Sequence, residues 1–448
     1  MLTYELEKNK YYSLYSHIRE DILRGRIKSG EKLPSKRSLA QNLGVSVITV
    51  QTAYDQLLAE GYIVSKERSG YFVADVNVDF YGEKTVEPVI VGGQQRYAVD
   101  FVKGSAPAEL FPFNYWAKLM RAVLSDCGEH LLERVPASGD GELKAAIAGY
   151  LYRVRGISAD PRYIVIGAGA EQLYGVIVQL LGRDKVYAVE NPGYKNIAEA
   201  YRLNGAKVVC VNVHSDGVNP DDWTADILHI SPSHHFPTGA VTPASSRVAL
   251  INKARTCGGY IIEDDYDSEF RLFGRPLQTM YGVSPDRVIY VNTFSKTLAP
   301  SMRMGYMVLP PALYQEYNRL FGRNASVVPL FEQKTLARMI SDGAFERHIN
   351  RLKNYYRGVR GILLDKLSKL SCPYEVTETG SGLHFTVRFP EAESDDKIKS
   401  AAMRAGINLR CLSDYLLEDR EGCSLTAVIN YSGVTTEQAR ALDLTDIK

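Results

Sequence analysis

The sequence predicts an α/β protein in two modules: a short helical N-terminal module closed by a strand pair, then a larger module with a mostly parallel sheet and a smaller α+β lobe. Three observations lead there. The first 75 residues carry closely spaced helical patterns and a Gly-containing strand pair, a texture not seen further on. After them, short β-rich runs (YIVI, VYAV, VVCV, DILHI, GYIIED, RVIYVN) alternate with helical stretches, as βα units do. From about Phe331 a long helical stretch gives way to the strand patterns LHFTVRF and SLTAVINY. Between the modules, DVNVDFYGEKTVEPVIVGGQQRY keeps neither period and reads as a linker. The expected boundaries are residues 1–75, a linker at 76–97, and 98–448, the last divided into a large domain at 98–330 and a small lobe at 331–448.

Composition narrows the class. A chain of 448 residues exceeds one ordinary core, and 45% hydrophobic with 23% charged residues describes a folded, water-soluble protein. MLTYELEKNK lacks the apolar core of a signal peptide, and no run approaches the roughly 20 apolar residues that span a bilayer. No membrane partner is expected, and the cytoplasm is the expected location. Six scattered cysteines indicate neither a zinc motif nor a disulfide framework, so no metal is expected. With a net charge of +1, DNA binding has to be argued from a motif rather than from total charge.

In the N-terminal module, Leu14, Ile18 and Ile22 recur at helical spacing, so about Ser13 to Leu23 form an amphipathic helix. Ser35 caps a second helix that stops at Gly44, where a left-handed turn is easy. Ser46 caps a third, with Val50, Ala53, Tyr54 and Leu57 inward and Val47, Ile48, Gln51 and Thr52 left free. Two helices joined by a tight Gly turn have helix-turn-helix geometry, although any three-helix domain shares the periodicity. YIVSKERSGYFV adds two strands around a basic tip.

LPSKRSLAQNLGVSVITVQTAYDQLLAEGYIVSKERSGYFV resembles the GntR-type winged helix throughout. The resemblance implies that Arg37, Ser46, Thr49 and Gln51 face double-stranded DNA, with Lys66, Arg68 and Gly70 on the wing. Many relatives carry Arg at the positions of Val47 and Gln51. Without it, Val47 and Ile48 are expected on thymine methyls and Gln51 on adenine, giving an A/T-leaning operator.

In the second module, VNTFSKTLAPSMRMGYMVLP places Lys296 in a loop of small and polar residues between two strands, with Arg303 seven residues on. A surface lysine is the commoner reading of such a residue, yet an amine whose pKa is lowered by its surroundings can form a Schiff base. About thirty residues earlier, GGYIIEDDYDSEF delivers acidic residues at the C-terminal end of an apolar strand, the edge where α/β sheets collect ligands. A buried carboxylate there needs a cationic partner such as a protonated pyridine nitrogen.

From Asp100 onward the chain resembles fold-type I pyridoxal 5'-phosphate (PLP) aminotransferases, and the whole arrangement resembles the MocR/GabR branch of GntR-type regulators. The motifs DFVKGSAPAELFPFNYW, PASGDGELKAAIAGYL, VIGAGAEQ, VENPGYKNI, SPSHHFPTG, IIEDDYDSEF and TFSKTLAPSMRMGY stand in the family's order and spacing. The resemblance implies that Lys296 holds PLP as a Schiff base, Asp264 pairs with the pyridine nitrogen, Tyr266 bonds the ring oxygen and Tyr194 stacks on the ring. The phosphate would rest on Gly169 and Ala170 at a helix start, with Thr293 and Arg303. It also implies a homodimer, arranged head to tail.

Departures from the pattern matter. Phe236 replaces the Asn that the enzymes use beside the ring oxygen, leaving that polar role to His234 or His235, with His235 taken as the cofactor contact. Val428 stands where amino-acid aminotransferases carry the Arg for the substrate carboxylate, and Asn196 where the GABA-responsive regulator has a second one. Arg410 is then the expected effector anchor. The expected function is a PLP-dependent transcription regulator answering to a small amine, an amino acid or PLP itself. The alternative is a working aminotransferase that carries a DNA-binding domain.

Overall fold

The computed structural model describes residues 4, 6, 9–76, 97–272, 277–377, 380 and 382–443. It forms two compact units, Met1–Gln95 and Arg96–Lys448. The expected linker lies outside the described residues from position 77 to position 96.

The first unit follows its capping signals. Helix Lys10–Leu23 turns Leu14, Ile18 and Ile22 inward. Helix Lys36–Leu43 starts where Ser35 Oγ accepts the Ser38 N–H at 3.2 Å, and it ends at Gly44 with φ +61°. Ser46 Oγ accepts the Thr49 N–H at 3.1 Å and opens helix Val47–Ala59. The inner face of that helix is Val50, Ala53, Tyr54 and Leu57, all fully buried. Tyr54 also donates to Pro34 O at 2.9 Å, fixing the third helix against the start of the second. Strands Ile63–Lys66 and Gly70–Val73 pair antiparallel. At their tip Arg68 adopts φ +57°, a conformation uncommon for a residue with a Cβ.

The second unit is built on an eight-stranded sheet in the order Ile164–Gly167, Gly305–Val308, Val288–Thr293, Tyr260–Asp264, Ile227–Ile230, Val186–Asn191, Lys207–His214, Gly217–Val218. The pairings from Val288–Thr293 across to Lys207–His214 are parallel, whereas Gly305–Val308 runs antiparallel to both neighbours. The C-terminal ends of the parallel strands therefore share one edge, which receives Glu190, Ser231, Asp264 and Thr293. Helices cover the sheet, because buried parallel strands such as Val288–Thr293 are apolar on both faces.

The small lobe has a four-stranded antiparallel sheet, Glu375–Thr377, His384–Arg388, Thr426–Asn430, Arg410–Cys411. Helix Ala344–Leu367 serves both cores: Phe345 and Ile349 join the large one, Leu352, Val359 and Leu363 the small one. The expected division at residue 330 needs one amendment. Val99–Asp100 pairs in parallel with Ile407–Asn408, and Val99 and Phe101 lie in the small lobe's core, so the segment after the linker is small-lobe structure. A two-residue strand carries no period by which a sequence could announce it.

Candidate functional site

One cavity of about 320 Å³ opens at the C-terminal edge of the large sheet. Lys296, Asp264, Tyr266, Tyr194, Ala170, Thr293, Arg303 and Arg410 all line it, although the chain supplies them from separate elements. Gly169 and His235 are not among the lining residues.

At the sheet edge the polar groups hold one another. Asp264 sits at the end of strand Tyr260–Asp264, and Tyr174 donates to its Oδ2 at 2.6 Å. His229 Nε2 approaches the same oxygen at 3.5 Å, while its Nδ1 pairs with the Tyr201 hydroxyl at 2.7 Å. Burial, then the Asp264 charge, pushes the Tyr174 phenol well above its ordinary pKa, so it stays a donor. Glu190 accepts the Ser231 N–H at 3.0 Å. Its pKa is raised well above the ordinary value, chiefly by burial and further by Asp264, which favours the protonated acid. Tyr174, His229 and Glu190 were not singled out from the sequence. None lies in a motif whose chemistry names it, and only tertiary structure brings them to Asp264.

The Lys296 amine donates to Gly104 O at 2.8 Å. Loss of water lowers its pKa, with Asp267 acting in the opposite direction, and a neutral amine is the reactive form. A Cβ on Gly104 would lie 2.7 Å from the amine, so the strandless segment after Asp100 has to be this slim. Helix Ala170–Leu181 begins at Gly169, with φ +90°, and Arg303 lies against that start: a Cβ on Gly169 would meet the guanidinium at 3.2 Å. Gly169 thus contributes close approach rather than cavity wall. This donor set fits PLP in kind: an amine of lowered pKa, a buried carboxylate at the sheet edge, and a helix start flanked by Arg303 and Thr293.

The histidine assignment is corrected by the geometry. His235 turns its Nδ1 to Thr238 Oγ1 at 2.7 Å and its Nε2 toward Glu190 at 3.6 Å, and burial lowers its pKa to about 3. His234 is the one beside the tyrosine, with Nδ1 2.9 Å from Asp267 Oδ2 and 3.5 Å from the Tyr266 hydroxyl. Its ring lies 4.3 Å from that of His384. His234, Asp267 and His384 keep their ligand-type atoms within 4.8 Å of one another, a grouping that no spacing in the sequence announces.

The opposite end of the cavity is aromatic and more open. Phe236 meets Tyr194, His384 and Tyr415 edge-on at 6.2, 5.0 and 5.0 Å. Tyr194 is half exposed, and its hydroxyl accepts from Asn196 Nδ2 at 3.0 Å. Val428 is buried and directly opposite Arg410 in the antiparallel ladder. Side chains opposite each other on neighbouring strands share a face. Arg410 therefore stands one strand over from Val428 and on the same face, its guanidinium 6.0 Å from the Tyr415 ring.

On the winged helix, Val47 and Ile48 are exposed, Ile48 to 77%. Ser46 and Thr49 share a hydroxyl contact of 2.9 Å at the cap. Gln51 is held on both sides, donating to Asp55 at 2.6 and 2.8 Å and accepting from Lys36 Nζ. Lys36 also stands 5.3 Å from the Tyr71 ring, and Lys66 4.7 Å from Phe72. Arg37 lies on the exposed side of its helix, and Arg68 and Gly70 form the wing tip. Lys36, one residue from Arg37 in LPSKRS, stands beside the predicted set through its contact with Gln51.

A winged helix joined to a domain of aminotransferase architecture defines a class of regulator. Residues 10–73 match the family described as bacterial regulatory proteins, gntR family, and residues 116–440 match aminotransferase class I and II. The chain is 33% identical to the HTH-type transcriptional regulator YdeL of Bacillus subtilis over 96% of its own length and 94% of that protein's. It is 31% identical to the probable rhizopine catabolism regulatory protein MocR of Rhizobium meliloti, with 95% and 91% covered. With the pyridoxine biosynthesis regulator PdxR of Corynebacterium glutamicum it shares 31% identity, with 90% and 88% covered. The fold resembles an archaeal alanine:glyoxylate aminotransferase, with TM-score 0.69 and 21% identity over 78% of this chain and 89% of that one. The chain belongs to the MocR/GabR-type regulators, in which a GntR-family winged helix is fused to an aminotransferase class I and II domain. Membership of the aminotransferase class I and II family implies dependence on PLP.

Proposed function

We propose that this protein is a cytoplasmic, homodimeric transcription regulator that binds an operator through its winged helix and uses the C-terminal cleft to sense a small amine, an amino acid or PLP itself. The observation that carries the reading is the gathering of Lys296, Asp264, Tyr266, Thr293 and Arg303 around one cavity in a chain that also presents Val47 and Ile48 to solvent. PLP supplies a reactive aldehyde and an electron-withdrawing ring when bound. In this proposal Lys296 holds the aldehyde carbon reversibly, Asp264 keeps the ring nitrogen protonated, and Tyr266, oriented by His234 and Asp267, donates to the ring oxygen. Tyr194 covers the ring face. Thr293, Arg303 and the N–H groups opening helix Ala170–Leu181 hold the phosphate.

A small amine in the cleft would compete with Lys296 for the PLP aldehyde, and Arg410 would anchor a carboxylate on that amine. Any free-energy difference this makes between two states of the protein is linked reciprocally to operator affinity. Apolar Val428 argues against efficient turnover of α-amino acids, because positioning the carboxylate supplies much of an aminotransferase's rate.

Visible absorption of the purified protein with PLP tests the cofactor assignment: a band lost in Lys296→Ala supports it, and the same spectrum in both proteins overturns it. Gel shifts on operator DNA with PLP and a panel of amino acids test the sensing. A change of affinity with one of them is expected, whereas equal affinity under every condition overturns the sensing. In a separate assay, steady conversion of an amino donor and a keto acid would point to the enzyme.

A further inference from the structure

The opening N–H groups of an α-helix have no partner inside it, and the helix end they mark is positive. Just ahead of the cap of helix Ala170–Leu181, the Ala168 N–H points to Gln172 Oε1, at 3.2 Å. Arg303 adds a full charge beside Gly169, in a left-handed conformation of φ +45°. The residue that occupies this positive corner is an acid. Glu171, in the first turn, has its Oε2 3.5 Å from Arg303 Nη2, and it lines the same cavity as Lys296 and Thr293. Its charge also reaches across the cleft, helping to raise the Tyr194 pKa after burial has done so.

A phosphate and the Glu171 carboxylate want the same donors. The Glu171–Arg303 pair is weak, since both side chains are more than half exposed, at 55% and 56%. It can therefore be displaced. Displacement leaves a problem, because the backbone keeps Glu171 within the first turn, and its negative charge stays close to whatever anion replaces it on Arg303.

We propose that Glu171 is an internal competitor for the phosphate subsite, a specificity-determining residue that holds down the affinity of the cleft for phosphorylated pyridoxal compounds and leaves affinity for phosphate-free ones unchanged. The inference rests on the reading of the cleft as a PLP site. Its consequence is regulatory. A site that never releases its cofactor cannot report the cofactor's concentration, whereas one weakened by its own carboxylate can be filled to different degrees as that concentration changes. Were Glu171 instead a buttress that orients Arg303 for phosphate, removing its charge would change affinity in the opposite direction.

The test titrates the full-length chain, freed of bound PLP, with PLP and separately with pyridoxal, following visible absorption in wild type, Glu171→Gln and Glu171→Lys. PLP should bind about two- to fivefold more tightly in Glu171→Gln, and more tightly again in Glu171→Lys. Pyridoxal should bind all three alike, and the gain for PLP should shrink as salt is added. Unchanged or weaker PLP binding in Glu171→Gln overturns the proposal, as does an equal gain for pyridoxal. Failure of the underlying reading has a different signature: wild type then shows no Lys296-dependent absorption with either compound, and both proposals fall together.

Discussion

In the winged helix the side chains offered to a partner stand outside a dry core, whereas in the cleft they are buried and hold one another. Val47 and Ile48 lie on the solvent side of a helix whose other face, Val50, Ala53, Tyr54 and Leu57, is sealed. Their placement needs one local signal, the Ser46 cap, and little else. Asp264 by contrast depends on Tyr174 and His229, 90 and 35 positions earlier in the chain, and Tyr266 is flanked by His234 and Asp267. Unpaired buried charge is costly, so a functional carboxylate in the interior has to be supported by a network. One unit can therefore exchange its exposed residues with little structural penalty, and the other cannot alter one buried group without disturbing several.

The largest expected effect follows from breaking that network. Asp264→Ala removes the acceptor of the Tyr174 hydroxyl and the carboxylate proposed for the ring nitrogen. Affinity for PLP, read by absorption titration, should fall by about two to three orders of magnitude. Operator binding in the absence of ligand should be nearly unchanged. Equal losses in both would mean that the two regions are not energetically separate. The pH dependence sharpens the same point. An amine with depressed pKa becomes neutral at lower pH than an ordinary lysine, near 10.4. The rate of PLP capture should therefore rise from neutral pH and level off clearly below about 10.4, as stopped-flow absorption would record. A rise that continues past that value would place the Lys296 amine in water.

A smaller effect is expected at the open end of the cavity. Arg410 is exposed and would reach a ligand from a neighbouring strand, so Arg410→Ala should weaken the proposed carboxylate-bearing effector by about fivefold to tenfold in effector-dependent gel shifts. An amine lacking a carboxylate should respond equally in both proteins. If it also loses its effect, Arg410 supports the lobe rather than the ligand.

Legibility in the sequence divides along the same line. The winged helix could be read residue by residue because Ser35, Gly44 and Ser46 act on the backbone next to them. The alternation of strands and helices was legible for a similar reason, the period being a local property. Lys296, Asp264 and Arg303 could be placed in one site only through motifs resembling a known family. Their support was not legible. Tyr174 and Glu190 look like ordinary core and strand-end residues, and the choice between His234 and His235 depends on which way two successive rings turn in a loop. The pairing of Val99–Asp100 with Ile407–Asn408 joins segments some 300 residues apart through two residues each, too short a pattern to carry a signal.

The smallest expected effect lies on the winged helix, and it separates two kinds of DNA contact. Lys36 holds Gln51 while Asp55 holds it from the other side, so the amide is fixed before any operator arrives. If Lys36 contributes chiefly charge, Lys36→Ala should weaken binding to all sequences alike and reduce the slope of log affinity against log salt by about one. If it chiefly orients Gln51, the loss should be confined to operators with adenine at the contacted position, and the salt slope should hardly change. The structure favours a mixture weighted toward charge, because Asp55 alone already supplies two hydrogen-bond acceptors to Gln51. A uniform loss of about threefold across sequences at low salt is therefore expected, vanishing as salt rises. A loss restricted to A-containing sites would instead show that even on this exposed surface a reading residue is held by a network, and the contrast between the two regions would be one of degree.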